Sequence, residues 1–226
     1  MLRYALLPVL SRSAMALGSA VGTLALGVGA ASARRVFPAD GQSEFLAIRN
    51  DRVIGRRRLA FSRDSGDLVV RHDTEFLAGP EGAPLHRFVQ HSEESWRDGW
   101  LHAVVADSDD NGALWRVRAE RRDGILQGQV NGAGFTVSGY PITSTLWHRD
   151  VPSQQALFDI TDARVKLIRG REIGEETLAL PGGTAKAKRY AIRGEINGDL
   201  WYDQDCRLVR ASHPLRDGSL VVFELI

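Results

Sequence analysis

Three features of this 226-residue chain predict a mainly β fold: one curved antiparallel meander sheet, a half-barrel or open barrel, with one short helical plug or lid. The first is alternation. Most runs beyond residue 44 carry apolar residues at every second position, the period of a half-buried strand. The second is punctuation. Asn-Asp, Asp-Gly and Asn-Gly pairs recur about every eight to twelve residues, as hairpin turns do. The third is a single interruption, residues 140–162, where alternation stops. A sheet with one apolar face must cover it by closing or by wrapping a plug, and the interruption supplies the plug.

The elements follow in chain order. Residues 1–33 carry only two charges, Arg3 and Arg12, and a run of small apolar residues ending in Ala31-Ser32-Ala33. This is the pattern of a cleavable secretory signal, with cut expected after Ala33 and residues 34–226 forming one antiparallel β domain. The weakly hydrophobic Gly/Ala run argues against a membrane anchor, and no later run is long or apolar enough to span a bilayer. Residues 45–49 open the first strand, Asn50-Asp51 turns the chain, and strands over 53–61 and 68–76 follow around the turn at Asp64–Asp67. After a loop with Gly79, Pro80 and Gly82 come 87–96 and then 100–106, where Trp100, His102, Val104 and Ala106 alternate onto one face. An acidic turn over 107–112 leads into 114–122, with Trp115, Val117 and Ala119 on one side and Arg116, Arg118 and Glu120 on the other. Residues 125–130 form the next strand. In the interruption, Ser153 is suited to cap a turn or two of helix over 154–158. Strands resume at 164–169 and 172–180. The last forty residues form a closing meander, with Tyr190, Ile192 and Ile196 on one face and Arg193 and Glu195 on the other.

Without the leader, 27 basic residues face 28 acidic ones, from 29 and 28 in the whole chain. A near-neutral mixed surface argues against a dedicated nucleic-acid partner. The arginines at 56–58 and 116–122 read as the solvated sides of strands. One cysteine, Cys206, excludes an internal disulfide and falls in a predicted turn.

No motif names a reaction. Asp107, Asp109, Asn111 and Gly112 match the first half of an EF-hand loop, but Arg118 stands where the bidentate Glu belongs, so the stretch reads as a hairpin turn. The six histidines (His72, His86, His91, His102, His148, His213) have no metal-ligand spacing. G-x-S-x-G is absent. The adjacent pairs Glu93-Glu94 and Glu175-Glu176 point to opposite faces of a strand. No phosphate loop precedes a helix. Catalytic residues, metal ligands and cofactors are therefore not assigned. The aromatic content is what remains: Trp96, Trp100, Trp115, Trp147, Trp201 and Tyr190 are the candidate ligand-binding residues of a cavity inside the curled sheet.

The closing segment GEINGDLWYDQDCRLVRASHPLRDGSLVVFEL resembles the C-terminal part of an uncharacterised family of exported bacterial proteins, a domain of unknown function. IGRRRLAF, EESWRDGWLHAVVADSDDNG and STLWHRDV occur upstream in that family's order, and Cys206 departs from a glycine expected in the turn. The family has no assigned catalytic residues to carry over. More distantly, the pattern is similar to the curved-sheet periplasmic lipoprotein carriers. That fold class includes both carriers of acyl chains and a cofactor-free enzyme. The secretory signal, the meander, the aromatic content and the missing catalytic motifs lead to the expectation of a periplasmic, non-catalytic binding or carrier protein for an apolar ligand, a lipid or acyl chain. Two other expectations stand beside it: a cofactor-free enzyme using His102 or Glu94 in the same cavity, and an envelope protein-interaction module with a packed core.

Overall fold

A computed structural model of the chain describes residues 41–79, 86–215 and 217–226, so the expected leader lies outside the described residues. Strands β1 (Gly41–Arg49), β2 (Arg52–Asp64), β3 (Asp67–Ala78), β4 (His86–Arg97), β5 (Trp100–Asp110), β6 (Ala113–Arg122), β7 (Ile125–Val130) and β8 (Ala133–Ser138) form the first half. After the interruption come β9 (Ala156–Asp159), β10 (Arg164–Leu180), β11 (Gly183–Gly194), β12 (Gly198–Asp203), β13 (Leu208–Pro214) and β14 (Leu220–Leu225). They make one antiparallel sheet of 14 strands in the order β8-β7-β6-β5-β4-β3-β2-β1-β14-β13-β12-β11-β10-β9. Every neighbour is a hairpin partner except β1 and β14, which join the two halves at the centre, with Phe45 opposite Leu225. The sheet curls without closing.

Turn chemistry explains the meander. At Asn50-Asp51, Ser65-Gly66, Asp98-Gly99, Asn111-Gly112, Asp123-Gly124 and Asn131-Gly132 both central residues have positive φ. That is the type I′ geometry whose twist matches the flanking strands, and Asn, Asp and Gly tolerate it best. The strands run longer than the alternation alone suggested. Asp107 and Asp109 lie within β5, and the turn itself is only Asn111-Gly112. Residues 164–169 and 172–180 are one 17-residue strand, β10, bulged between Glu172 and Gly174.

Two expectations change on physical grounds. A bulge opposite Ser95/Trp96 places an extra residue in β5, so Leu101 pairs with Trp96 while Ala103 pairs with Ser95. An extra residue flips the parity of what precedes it. Leu101 rather than Trp100 therefore shares the core face with Val104 and Ala106. The helix expected over 154–158 is a single 3-10 turn at Val151–Ser153, and the following residues become β9. Pro152 occupies the first turn of that short element, where its missing N–H has no partner to lose. Ala156, Leu157 and Phe158 are all buried, and β9 pairs with β10.

The main core lies on the inner face of the curl: Phe45, Leu59, Leu68, Val70, Trp96, Leu101, Val104, Val117, Leu126, Phe158, Leu200 and Phe223 belong to it. Residues 139–155 cross that interior between β8 and β9. Phe158 N–H donates to Ile142 O (2.8 Å) and Ser144 N–H to Phe158 O (2.9 Å), so the crossing segment covers β9's outer edge. A smaller cluster of Leu178, Ala187, Trp201 and Val209 sits on the opposite face.

Candidate functional site

β4 presents an inward row at every second position: His86, Phe88, Gln90, Ser92, Glu94 and Trp96. One end of the row is sealed by the crossing segment, and the other opens into a cavity.

At the sealed end, Glu94 is fully buried. Its Oε2 accepts from Trp96 Nε1 (2.8 Å) and Trp147 Nε1 (3.0 Å), and its Oε1 accepts from Thr145 Oγ1 (2.8 Å). Thr143 extends the chain to Thr145 at 2.8 Å. Burial pushes the Glu94 carboxyl above the usual carboxylate range, and the surrounding Trp147, Thr145, Thr143 and Trp96 donors partly offset this. Trp147 packs edge-on against Trp96 (5.2 Å between ring centroids) and Phe61 (5.6 Å), and His148 stacks on Trp96 at 5.4 Å. Tyr202 donates its hydroxyl to Leu146 O at 2.7 Å. On the far side, the segment rests on Gly170 of β10, where a Cβ would fall 2.0 Å from Pro152 O. The segment is thus a plug whose side chains Thr145 and Trp147 are held by the Glu94 carboxyl and whose backbone is held by Phe158 and Tyr202.

At the open end lies a cavity of about 530 Å³, within the range of small-molecule sites. Phe76, Phe88, Trp115, Leu146, Ile192 and Leu200 supply apolar wall. Into it project polar groups that share the inward register: Arg57 from β2, His72 from β3, Gln90 from β4 and His213 from β13, and Ser212 borders it. Arg57 is only 8% exposed. Its Nε donates to Thr74 Oγ1 (3.2 Å), its guanidinium carbon lies 3.8 Å from the Phe223 ring centroid, and its Nη1 is buried without a hydrogen-bond partner. Burial lowers its pKa to about 10, so it stays charged at neutral pH. His72 bonds Thr74 Oγ1 at 2.8 Å and leaves Nδ1 buried and unpartnered. Burial holds His72 well below the ordinary imidazole value and lowers His213 to about 4, so both are neutral at pH 7.

The six aromatic residues expected to contact ligand are therefore dispersed. Trp115 lines the cavity. Trp96 and Trp147 are packed in the plug with their indole N–H groups on Glu94. Trp100 packs at a tilt against Tyr140, 4.1 Å between ring centroids. Trp201 sits in the outer cluster, flanked by Arg189 and Arg210 and donating to Glu176. Tyr190 lies 6.2 Å from Tyr202, where both border a second, charged groove with Arg149, Glu172 and Lys188. Of the polar pair considered for catalysis, Glu94 is enclosed by the plug and His102 is half-buried at the β5 bulge; neither lines the cavity.

Arg57 corrects an expectation. The 56–58 arginines do not all form a solvated strand side: Arg56 and Arg58 are exposed, whereas Arg57 turns inward. The signal was present in RRRLAF, because Leu59 and Phe61 set an inward register that also contains position 57. The same parity links His72 to Val70 and Phe76, and Gln90 to Phe88 and Trp96. Among the described residues no group of three or more His, Cys, Asp or Glu is placed to hold a metal, and no helix is long and apolar enough to cross a membrane. Asp107 bonds Arg118 in the stretch with EF-hand likeness, and Asp109 accepts from Gly112 N–H.

A solved structure shares this fold: a "Beta-barrel-like Protein of Domain of Unknown Function DUF1849 from Brucella abortus", 12% identical, covering 82% of this chain and 94% of its own, with a TM-score of 0.57. At that identity the likeness extends to fold alone. No curated protein matches the chain by sequence. The match that assigns the chain spans residues 45–226, nearly everything after β1 begins, and by it this protein belongs to the family described as "Domain of unknown function (DUF6134)".

Proposed function

We propose that the protein is a non-catalytic binding or carrier protein for an apolar ligand, a lipid or acyl chain, and that it works in the periplasm after removal of its leader. The observation that carries this reading is the cavity at the open end of the curl, about 530 Å³ with a wall of Phe76, Phe88, Trp115, Leu146, Ile192 and Leu200. Natural interiors fill such space with side chains unless something else occupies it. Plugging only one end leaves the other as a pocket for an apolar chain. Periplasmic export rests on the 1–33 pattern, A-x-A site included.

The test is native mass spectrometry of the protein purified from its own periplasm, followed by organic extraction and by titration with the neutral dye N-phenyl-1-naphthylamine. A co-purifying lipid, or saturable dye binding weakened by Trp115→Ala, is the expected result. A clean apo mass together with no saturable dye binding overturns the reading.

A further inference from the structure

The cavity wall contains a buried cation that no described carboxylate contacts. Arg57 is buried, its Nη1 has no hydrogen-bond partner, and no described carboxylate pairs with it. The carboxylates that line the cavity are engaged elsewhere. Asp110 bonds His86 (2.5 Å), and Asp162 bonds Lys166 (2.8 Å). Asp159 accepts from Ser144 Oγ (3.1 Å) and Thr161 N–H (2.9 Å), and Glu195 accepts from Leu167 N–H (2.7 Å). The Phe223 ring gives the guanidinium only a cation–π contact. Burying an ion without a partner costs several kcal/mol, and folds keep one only where something supplies the missing charge.

From this we infer that Arg57 is the anchor for the carboxylate head of an amphiphilic ligand whose apolar tail lies along the Phe76–Phe88–Leu200 wall. This rests on the binding reading above and adds the head group. Three points favour a single negative charge. The inner wall offers one guanidinium, and His72 and His213 beside it are neutral at pH 7. The remaining cavity cation, Lys166, is held by Asp162. A phosphate dianion would leave about one charge uncompensated in a low-dielectric pocket. The planar guanidinium, its Nε fixed by Thr74, also matches a carboxylate's geometry. The unpartnered Nδ1 of His72, which shares Thr74 Oγ1 with Arg57, is the second group without a partner beside the site.

The experiment is displacement of bound N-phenyl-1-naphthylamine by four amphiphiles of one chain length: dodecanoate, dodecanol, dodecyl phosphate and dodecyltrimethylammonium. In the wild-type protein at pH 7, dodecanoate should bind at least about tenfold tighter than dodecanol, as a charge-assisted hydrogen bond implies. Arg57→Met should abolish that preference, each amphiphile being ranked against the dye affinity measured on the variant itself. Should Arg57→Met fail to fold, Thr74→Val, which frees the Nε, should narrow the preference, and the wild-type ranking stands as a test by itself. Equal binding of dodecanoate and dodecanol, or a preference for dodecyl phosphate or the cation, overturns the carboxylate assignment and leaves the apolar-ligand reading intact. Failure of the dye to bind at all sinks the broader reading, a distinguishable outcome.

Discussion

Glu94 is the group on which the plug depends, and replacing it separates two effects. Glu94→Ala leaves two buried indole N–H groups and the Thr145 hydroxyl without their acceptor. Each orphaned buried polar group costs about 1–3 kcal/mol, so the three together should cost roughly 3–9 kcal/mol before any cavity is counted. That is a large share of the ~5–15 kcal/mol that holds a typical domain folded. Glu94→Gln keeps an oxygen for the two indoles and offers an N–H to Thr145 Oγ1, so it should cost within about 1 kcal/mol of wild type at pH 7. The pH dependence has a definite sign. Burial raises the folded-state pKa above 4.5, so the unfolded chain ionises first as pH rises. Folded Glu94 then holds more protons than unfolded Glu94, and wild type loses stability from about pH 4.5 upward until the folded carboxyl has also ionised. Gln has no such loss. Urea unfolding followed by tryptophan fluorescence at a series of pH values should show Glu94→Gln gaining on wild type as pH rises. If wild type gains on Gln instead, the four donors outweigh burial and the reasoning fails.

Three further outcomes follow from the same contacts. His213 is lowered to about 4 from 6.5, so its neutral burial contributes stability that is complete above pH 6.5 and lost as pH falls towards 4; this is worth roughly 3 kcal/mol, and His213→Asn should flatten the acid limb of a stability–pH curve measured by urea unfolding. Gly170→Ala puts a Cβ at 2.0 Å from Pro152 O, so the plug must shift, costing about 1–3 kcal/mol and altering the near-UV signal of Trp147; an unchanged midpoint and spectrum would show that the plug does not rest there. Cys206 has φ of +62° and its Sγ accepts from Arg149 Nη1 at 3.1 Å. Cys206→Gly should leave thermal stability unchanged or raise it by up to about 1 kcal/mol, since relief of the left-handed strain offsets glycine's entropy.

The sheet was legible because its signals are local. Period-two alternation and turn dipeptides are read within about ten residues, and the glycine expected at 206 reflects a backbone that is in fact left-handed there. What escaped is set by long-range geometry. The bulge opposite Ser95/Trp96 reverses which of Trp100 and Leu101 faces inward, and nothing in the local sequence marks it. β8 went unseen because Ala133, Gly134 and Thr136 give its six residues little apolar contrast. The candidate site was obscured by composition. Tryptophan draws attention to itself, yet Trp96 and Trp147 are bound up with Glu94 and Trp201 faces outward. Arg57, His72 and Gln90 look like ordinary strand polar residues until their parity is compared with Leu59, Val70 and Phe88.

Strand number explains why a cavity exists here at all. About eight strands enclose an interior that side chains can fill, and wider sheets leave space along the axis. Fourteen strands curl here without closing, and at one end their inward rows leave a cavity of about 530 Å³. The chain fills one end with the plug, where Trp147, His148 and Leu146 reach the inner face and their backbone is satisfied by Tyr202. It does not fill the other end, and there the inward row changes character: Leu59 gives way to Arg57, Val70 to His72 and Thr74, Trp96 and Glu94 to Gln90. A cavity left by accident of strand number would be expected to be apolar and dry, because each unpaired polar group in it lowers stability. This one keeps a guanidinium nitrogen of Arg57 and an imidazole nitrogen of His72 unpaired, on two residues that both bond Thr74. Their cost is what an accepting group brought to the cavity that Arg57 and His72 line would offset, which is the outcome the amphiphile comparison reads.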